Sequence, residues 1–284
     1  MRLKTAPAIV SLWSIVFVCF LPSLQLSGKD EKLKPEALLA KHVESIGSPE
    51  ARAAVKSRVM AGSAEVIFRL GGQGQMVGSG NLVSSGPMVR FGVVFPSLGY
   101  PGEQLAYDGN KVTVGQVSPG RRSALSDFLY HHDIIIKEGL MFGALGTNWS
   151  MLREPKLDYS GLKKIEGKQL HEVKYRARKG MGNVQASLYF EPETFRHVQS
   201  QFRVAIPSTM GSSPAESASQ RDTIHLLIEQ FGDFKTVDGL TLPHSYKLNF
   251  TVEGQTGTLL TSWSFSASQI AHNQEVDSKL FVVQ

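Results

Sequence analysis

The stretch Phe231–Phe250, "FGDFKTVDGLTLPHSYKLNF", contains the pattern that decides the fold. Asp238 and Gly239 are typical of a tight hairpin turn, because glycine adopts positive φ without steric cost. After the turn, every second residue from Tyr246 onward is apolar and the residues between are polar. This alternation predicts a strand with one apolar and one solvated face.

A proline lies inside this predicted strand. Pro243 has no N–H to donate to a ladder, so it is tolerated at a strand start, a sheet edge or a bulge. Its place shortly after the turn predicts the start of a strand or an edge position.

Similar alternation recurs along most of the chain. It is clear in "VRFGVVF", in "LAYDGNKVTV", in "KKIEGKQLHEVKYRAR" and in "VQASLYFEPETFRHVQSQFRV". No strand–helix–strand alternation occurs, which favours an antiparallel over a parallel sheet. Roughly ten or eleven antiparallel strands would curl, and their apolar face would become a concave wall. The pattern therefore predicts an α+β fold with a strongly curved sheet.

Three segments have helical periodicity. "PEALLAKHVESIG" begins with Pro35 in its first turn, and "SPEARAAVK" has Ser48 as its predicted N-cap. The third, "SALSDFLYHHDIIIKEG", is predicted as one helix from Ser123 to Gly139. We expect helices to cover the concave face, with the third as a lid.

The first 28 residues are predicted to be a secretory signal peptide. Arg2 and Lys4 precede an apolar run that is short for a membrane span and ends at Pro22. An uncleaved N-terminal membrane anchor is the alternative. Cys19 lies within the apolar run, so the mature chain would hold no cysteine and would depend on core burial alone.

We expect residues 29–284 to form a single domain, with residues 206–221 as a mobile Ser-rich loop. Removal of Arg2 and Lys4 with the signal peptide would leave 28 basic and 25 acidic residues, and a net charge of about +3 is too small to indicate a nucleic-acid partner. A basic stripe begins at Lys174 and continues to Lys179. It is interpreted as a solvated strand face, with peripheral contact to anionic lipid headgroups as the alternative.

Motifs for catalysis are weak. Tyr130–Asp133, "YHHD", offers two histidines and a carboxylate, but adjacent helical residues point about 100° apart. No Gly-x-Ser-x-Gly elbow occurs. Neither a cofactor nor a bound metal is predicted, and a metal-dependent hydrolase that uses this segment is the weakest of the functional hypotheses.

Three segments of the sequence resemble those of a known protein family. The segment "ALLAKHVESIGSPEARAAVKSRVMAGSAEV", with "YFEPETFRHVQSQFRV" and the stretch Phe231–Phe250, resembles bacterial LolA-like and LppX-like proteins, which are related to outer-membrane lipoprotein-sorting carriers. The resemblance implies an unclosed antiparallel β-barrel whose hydrophobic concavity is covered by helices. It also implies that acyl chains bind in that concavity.

The leading prediction is therefore a non-enzymatic, exported periplasmic protein that binds a lipid, an acyl chain or a lipoprotein as a carrier or sensor. The alternative is an envelope interaction or assembly module, with an envelope protein as partner, whose core is filled by its own side chains. The predicted cavity and lid residues share apolar positions on the inner face. They are Leu125, Phe128, Leu129, Ile135, Phe91, Phe95, Tyr246, Leu248 and Phe250.

Overall fold

The predicted alternation forms one sheet of twelve antiparallel strands. A computed structural model describes residues 33–70, 74–147, 156–176, 183–208 and 220–283. In chain order the strands are β1 Ser57–Leu70, β2 Gly74–Ser85, β3 Met88–Val94, β4 Gly102–Tyr107, β5 Val112–Val114, β6 Lys156–Ile165, β7 Lys168–Arg176, β8 Gln185–Phe190, β9 His197–Ile206, β10 Thr223–Val237, β11 Leu240–Gly254 and β12 Gly257–His272.

The strand order identifies the two edges at which the sheet is open. The sheet runs β5-β4-β3-β2-β1-β12-β11-β10-β9-β8-β7-β6, so the first and last strands pair in the middle. The short β5 and the longer β6 are the two edges, and within the described residues they do not pair with each other. The predicted α+β fold with an unclosed, curved sheet is confirmed, with twelve strands in place of roughly ten or eleven.

The central hairpin forms where the sequence predicts it. Asp238 and Gly239 have φ values of 50° and 78°, as a two-residue turn between twisted strands requires. Pro243 pairs with Phe234 of β10, and the ladder between β11 and β12 begins only at Ser245. The proline therefore lies where β11 has a neighbour on one side, which confirms the strand-start prediction.

Four α-helices accompany the sheet in the described residues. They are α1 Pro35–Ile46, α2 Pro49–Ala54, α3 Ala124–His131 and α4 Ile134–Lys137, and two short 3₁₀ turns span Gly143–Leu145 and Ser278–Phe281. The Ser48 hydroxyl accepts a hydrogen bond from Ala51 N at 3.2 Å, which confirms its predicted capping role.

The predicted third helix is interrupted. The Ser123 hydroxyl caps α3 by accepting from Ser126 N at 2.9 Å, as expected. The helix then breaks at His132, whose φ of −121° and ψ of 40° are not helical, and α4 follows as a single turn. The prediction of one continuous helix was wrong because periodicity does not reveal a local break.

The connection between the two edges covers the middle of the concave face. The chain leaves β5 at one edge and resumes at β6 on the other, so it must cross the sheet. We call residues 124–147 the crossing segment. The Phe128 ring lies 5.1 Å from that of Phe250, and the Phe142 ring lies 5.8 Å from that of Phe91. The crossing segment thus packs against both halves of the sheet.

One end of the concave face is capped by the N-terminal helices. Leu38 of α1 packs with Val173 and Phe190, and Ile46 packs with Leu240 beside the central turn. We call this the capped end. The opposite end, where β12 begins, is called the open end.

Several predictions fall on residues that the structure does not describe. They are the signal peptide with Cys19, residues 209–219 of the Ser-rich loop, and Arg178 and Lys179 of the basic stripe. Among the described residues, no helix combines the length and the apolar character needed to cross a membrane.

Candidate functional site

The structure brings the nine predicted cavity and lid residues together in one apolar cluster. All nine side chains are 3% exposed or less. The middle of the concave face is therefore packed with side chains of the protein itself. The assignment of these residues as ligand contacts stays a prediction.

A cleft of about 350 Å³ lies at the open end, and we call it the open-end cleft. Its walls come from β1, the β3–β4 loop and the start of β4, the loop before α3 and the start of α3, and from β11 and β12. Two predicted residues, Leu125 and Phe250, lie in these walls. Its volume falls in the range of small-molecule sites.

The lining of the open-end cleft is rich in aromatic rings. Phe68, Tyr100 and Trp263 face it beside Leu125 and Phe250. The Phe68 and Tyr100 rings meet edge to face with centroids 5.2 Å apart. These aromatic and aliphatic side chains form the kind of wall that an apolar ligand requires. The same lining also contains the polar residues Glu103, Arg121, Arg122, Ser123 and Thr261.

One wall of the cleft is a fixed polar network. Trp263 Nε1 donates to Tyr100 Oη at 2.6 Å, and Tyr100 Oη donates to Glu103 Oε1 at 2.6 Å. The hydroxyls of Ser123 and Ser126 donate to Glu103 Oε2 at 2.7 and 2.8 Å. Burial raises the pKa of Glu103, and these hydrogen bonds act in the opposite direction. The network ties the start of α3 to the sheet.

A second concavity, of about 390 Å³, lies at the turn between β8 and β9. Its lining includes Lys168, Glu191 and Glu193 and contains no aromatic side chain. Because charged, solvated walls offer little apolar burial, it is a weaker candidate for a lipid than the open-end cleft.

A buried carboxyl group anchors the crossing segment from the sheet side. Glu229 of β10 is fully buried and accepts hydrogen bonds at Oε1 from Tyr246 Oη at 2.6 Å and Phe142 N at 2.9 Å. Burial raises the pKa of Glu229 to about 7, with the two hydrogen bonds opposing that rise. Phe142 adopts a φ of 74°, a strained conformation that the bond to Glu229 helps to hold.

A buried guanidinium group anchors the same segment a few residues later. Arg58 of β1 is 0% exposed and donates to the carbonyl oxygens of Ala144 and Leu145 at 2.7 and 2.9 Å. Its Nε lies 3.1 Å from His272 Nε2, and burial lowers the pKa of Arg58 to about 9. Glu229 and Arg58 thus fix the latter half of the crossing segment.

A serine and a histidine lie together near Glu229, but their geometry does not suit nucleophilic catalysis. His197 Nε2 lies 2.9 Å from the Gln199 carbonyl oxygen and 3.2 Å from Ser200 Oγ. A carbonyl only accepts, so Nε2 carries the proton and cannot act as a base toward the hydroxyl. His197 is 2% exposed and Ser200 is 0% exposed, so a substrate could not reach either side chain.

The Tyr130–Asp133 segment does not assemble a site either. His131 is exposed and lies 3.4 Å from an Asp127 oxygen, whereas the His132 ring packs 4.9 Å from that of Phe128. Asp133 pairs with Lys137 at 2.6 Å. In the part of the chain that the structure describes, no three His, Cys, Asp or Glu side chains are grouped to hold a metal.

Sequence reasoning missed the buried charges. Arg58, Glu103 and Glu229 each share a strand face with buried apolar residues, such as Leu227 and Phe231 on either side of Glu229. A charged residue at an apolar position of an alternating strand was the available signal, because a buried charge requires partners.

Comparison with known proteins gives matches in structure only. No family model and no curated protein matches the chain. A domain from Vibrio parahaemolyticus, described as an outer membrane lipoprotein-sorting protein domain, is 12% identical with a TM-score of 0.42, over 86% of this chain and 97% of that one. A DUF1329 family protein from Desulfovibrio piger is 10% identical with a TM-score of 0.43, over 87% and 96%.

The lipoprotein LppX of Mycobacterium tuberculosis also matches. It is 10% identical with a TM-score of 0.25, over 86% of this chain and 100% of that one. All three matches are 12% identical or less and have TM-scores under 0.5.

Proposed function

We propose that the protein binds a lipid or an acyl chain, free or attached to a lipoprotein, in the open-end cleft. The observation that carries the proposal is the cleft of about 350 Å³ lined by Phe68, Leu125, Phe250 and Trp263. Each methylene group that such a surface removes from water contributes about 0.8 kcal/mol, so part of an acyl chain suffices for binding.

The lid of this site is the start of the crossing segment. Leu125 of α3 lines the cleft, whereas the later part of the segment is held by Glu229 and Arg58. A ligand that displaces the start of α3 would break the hydrogen bonds from Ser123 and Ser126 to Glu103, while the contacts of Glu229 and Arg58 stay in place. Reversible sequestration of this kind suits a carrier or a sensor.

We propose that the protein acts without catalysis and in the bacterial periplasm. The enclosed Ser200–His197 pair and the divergent side chains of Tyr130–Asp133 support a non-enzymatic role. The predicted signal peptide of residues 1–28 supports export, with a membrane anchor as the alternative.

A second candidate is an interaction or assembly module of the envelope. The observation that favours it is the filled middle of the concave face, where Phe128 and Phe142 are both 2% exposed. In this case an envelope protein would be the partner and the cleft would hold no lipid.

Organic extraction and native mass spectrometry of gently purified protein separate the two candidates. The lipid-binding proposal predicts an extractable lipid, or uptake of added palmitate as a one-to-one adduct. Protein that carries no lipid and takes up none would support the interaction module.

A further inference from the structure

Two arginines stand at the rim of the open-end cleft. Arg121 and Arg122 line it together with Leu125 and Trp263, so a cationic edge borders an aromatic and aliphatic wall. A cleft that served a neutral hydrocarbon alone would not need guanidinium groups in its lining.

The backbone before α3 fixes the position of Arg121. Arg121 N donates to the Ser118 carbonyl oxygen at 2.9 Å, and Val117 N donates to the Arg121 carbonyl oxygen at 2.9 Å. The Arg121 side chain is exposed, and within the described ranges no carboxylate lies at ion-pair distance from it. Its donors are therefore available to a ligand.

Arg122 is oriented by its neighbours. Its guanidinium carbon lies 3.6 Å from the centroid of the Tyr130 ring, and its Nη1 lies 3.6 Å from Asp127 Oδ1. Those contacts leave other N–H groups of the planar guanidinium for a second acceptor.

The carboxylate of Glu103, which also lines the cleft, is not paired with Arg121 or Arg122. Three hydroxyl groups, from Tyr100, Ser123 and Ser126, donate to the two oxygens of Glu103. Glu103 is 4% exposed, whereas the arginines stand at the mouth. The arrangement separates an interior polar network from a cationic rim.

We propose that the ligand of the open-end cleft is an amphiphile with an anionic head, a carboxylate or a phosphate. Arg121 and Arg122 bind the head by charge-assisted hydrogen bonds, and the tail lies against Phe68, Leu125 and Trp263. This inference rests on the proposed lipid-binding function and adds its headgroup class.

The test compares ligands that share a tail. Binding of palmitate, 1-palmitoyl lysophosphatidate and hexadecanol to the full chain is measured by titration calorimetry below their aggregation concentrations. The anions are expected to bind about tenfold more tightly than the alcohol, because hydrogen bonds to charged groups are the stronger ones. The two anions distinguish a fatty acid from a phospholipid as the source.

The matched variants are the double variant Arg121→Gln/Arg122→Gln and the control Arg196→Gln. Arg196 lies outside the cleft, near the ring of Phe234. The double variant should lower affinity for the favoured anion to that of hexadecanol and leave hexadecanol binding unchanged, whereas the control should behave as wild type. High salt should weaken binding of the anion alone.

The outcomes separate the headgroup assignment from the proposed lipid-binding function. Equal affinity for anions and alcohol, or an unaffected double variant, overturns the headgroup assignment and leaves the proposed function standing. Failure of all three ligands to bind overturns the proposed function and the headgroup assignment with it.

Discussion

The middle of the concave face and its open end are built from the same strands but differ in what covers them. β11 supplies Tyr246 to the middle and Phe250 to the cleft wall. In the middle, Phe142 of the crossing segment lies against Tyr246 with ring centroids 5.9 Å apart. At the open end the crossing segment has only begun, and a cleft remains. The path of one connection therefore decides where this sheet has room for a ligand.

The largest expected effect comes from removing the ring that fills the middle. Phe142→Ala should lower the free energy of unfolding by about 3–5 kcal/mol, because it leaves a cavity in a close-packed core. Urea denaturation measures the change. Leu98→Ala is the control, since Leu98 is fully exposed and its loss should cost less than about 0.5 kcal/mol. Similar stabilities for the two variants would show that the middle is not filled in this way.

The second prediction concerns the carboxyl group that holds the crossing segment. Because burial raises the pKa of Glu229 from 4.5 to about 7, the folded chain keeps a proton that the unfolded chain has lost. Its contribution to stability is full below about pH 4.5 and is lost as the pH rises through 7. Glu229→Gln should gain on the order of 3 kcal/mol of unfolding free energy over wild type from about pH 5 to pH 8.

Chemical denaturation of both proteins at several pH values measures that difference. Burial lowers the pKa of His42 and of His197 to about 4 and about 3, so both also make stability depend on pH. Both proteins contain these histidines, so their effect cancels in the difference. A difference that stays constant with pH would mean that Glu229 is ionised in the folded protein.

The third prediction tests lipid binding in the open-end cleft by substituting two adjacent residues of β12 that point to opposite faces of the sheet. Leu259 lines the cleft and pairs with Val252, whereas Leu260, which pairs with Leu70, points to the other face of the sheet. Leu259→Asp should weaken palmitate binding about tenfold or more, because a charge enters an apolar wall. Leu260→Asp should bind palmitate as wild type does. Equal losses in the two variants would place the lipid elsewhere.

Local features of this fold were predictable from sequence. The turn at Asp238 and Gly239, the alternation after Tyr246 and the cap at Ser48 each depend on residues a few positions apart. The apolar face was predicted for the same reason, since strand periodicity places alternate residues on one side. The break at His132 was not, because helical spacing continues across it.

Whether the concave face is filled could not be predicted, because that depends on the path of the crossing segment between two distant edges. The signal at Glu229 was visible as a charge on an apolar face. Its partners were not visible, since Phe142 lies 87 residues away along the chain and Tyr246 lies 17 residues away on the next strand. The cleft could not be predicted either, because Tyr100 and Trp263, which meet in its wall, lie 163 residues apart along the chain.

The most direct test of the central claim measures whether an acyl chain lies against Trp263. The chain has three tryptophans, so a full-length Trp13→Phe/Trp149→Phe variant leaves Trp263 as the single indole fluorophore. Stearate and 9,10-dibromostearate are added in parallel, and quenching by bromine reports contact between tail and ring. Saturable quenching by the brominated chain alone is the predicted result. Fatty-acid binding that leaves Trp263 emission unquenched would contradict the assignment of the open-end cleft as the lipid site.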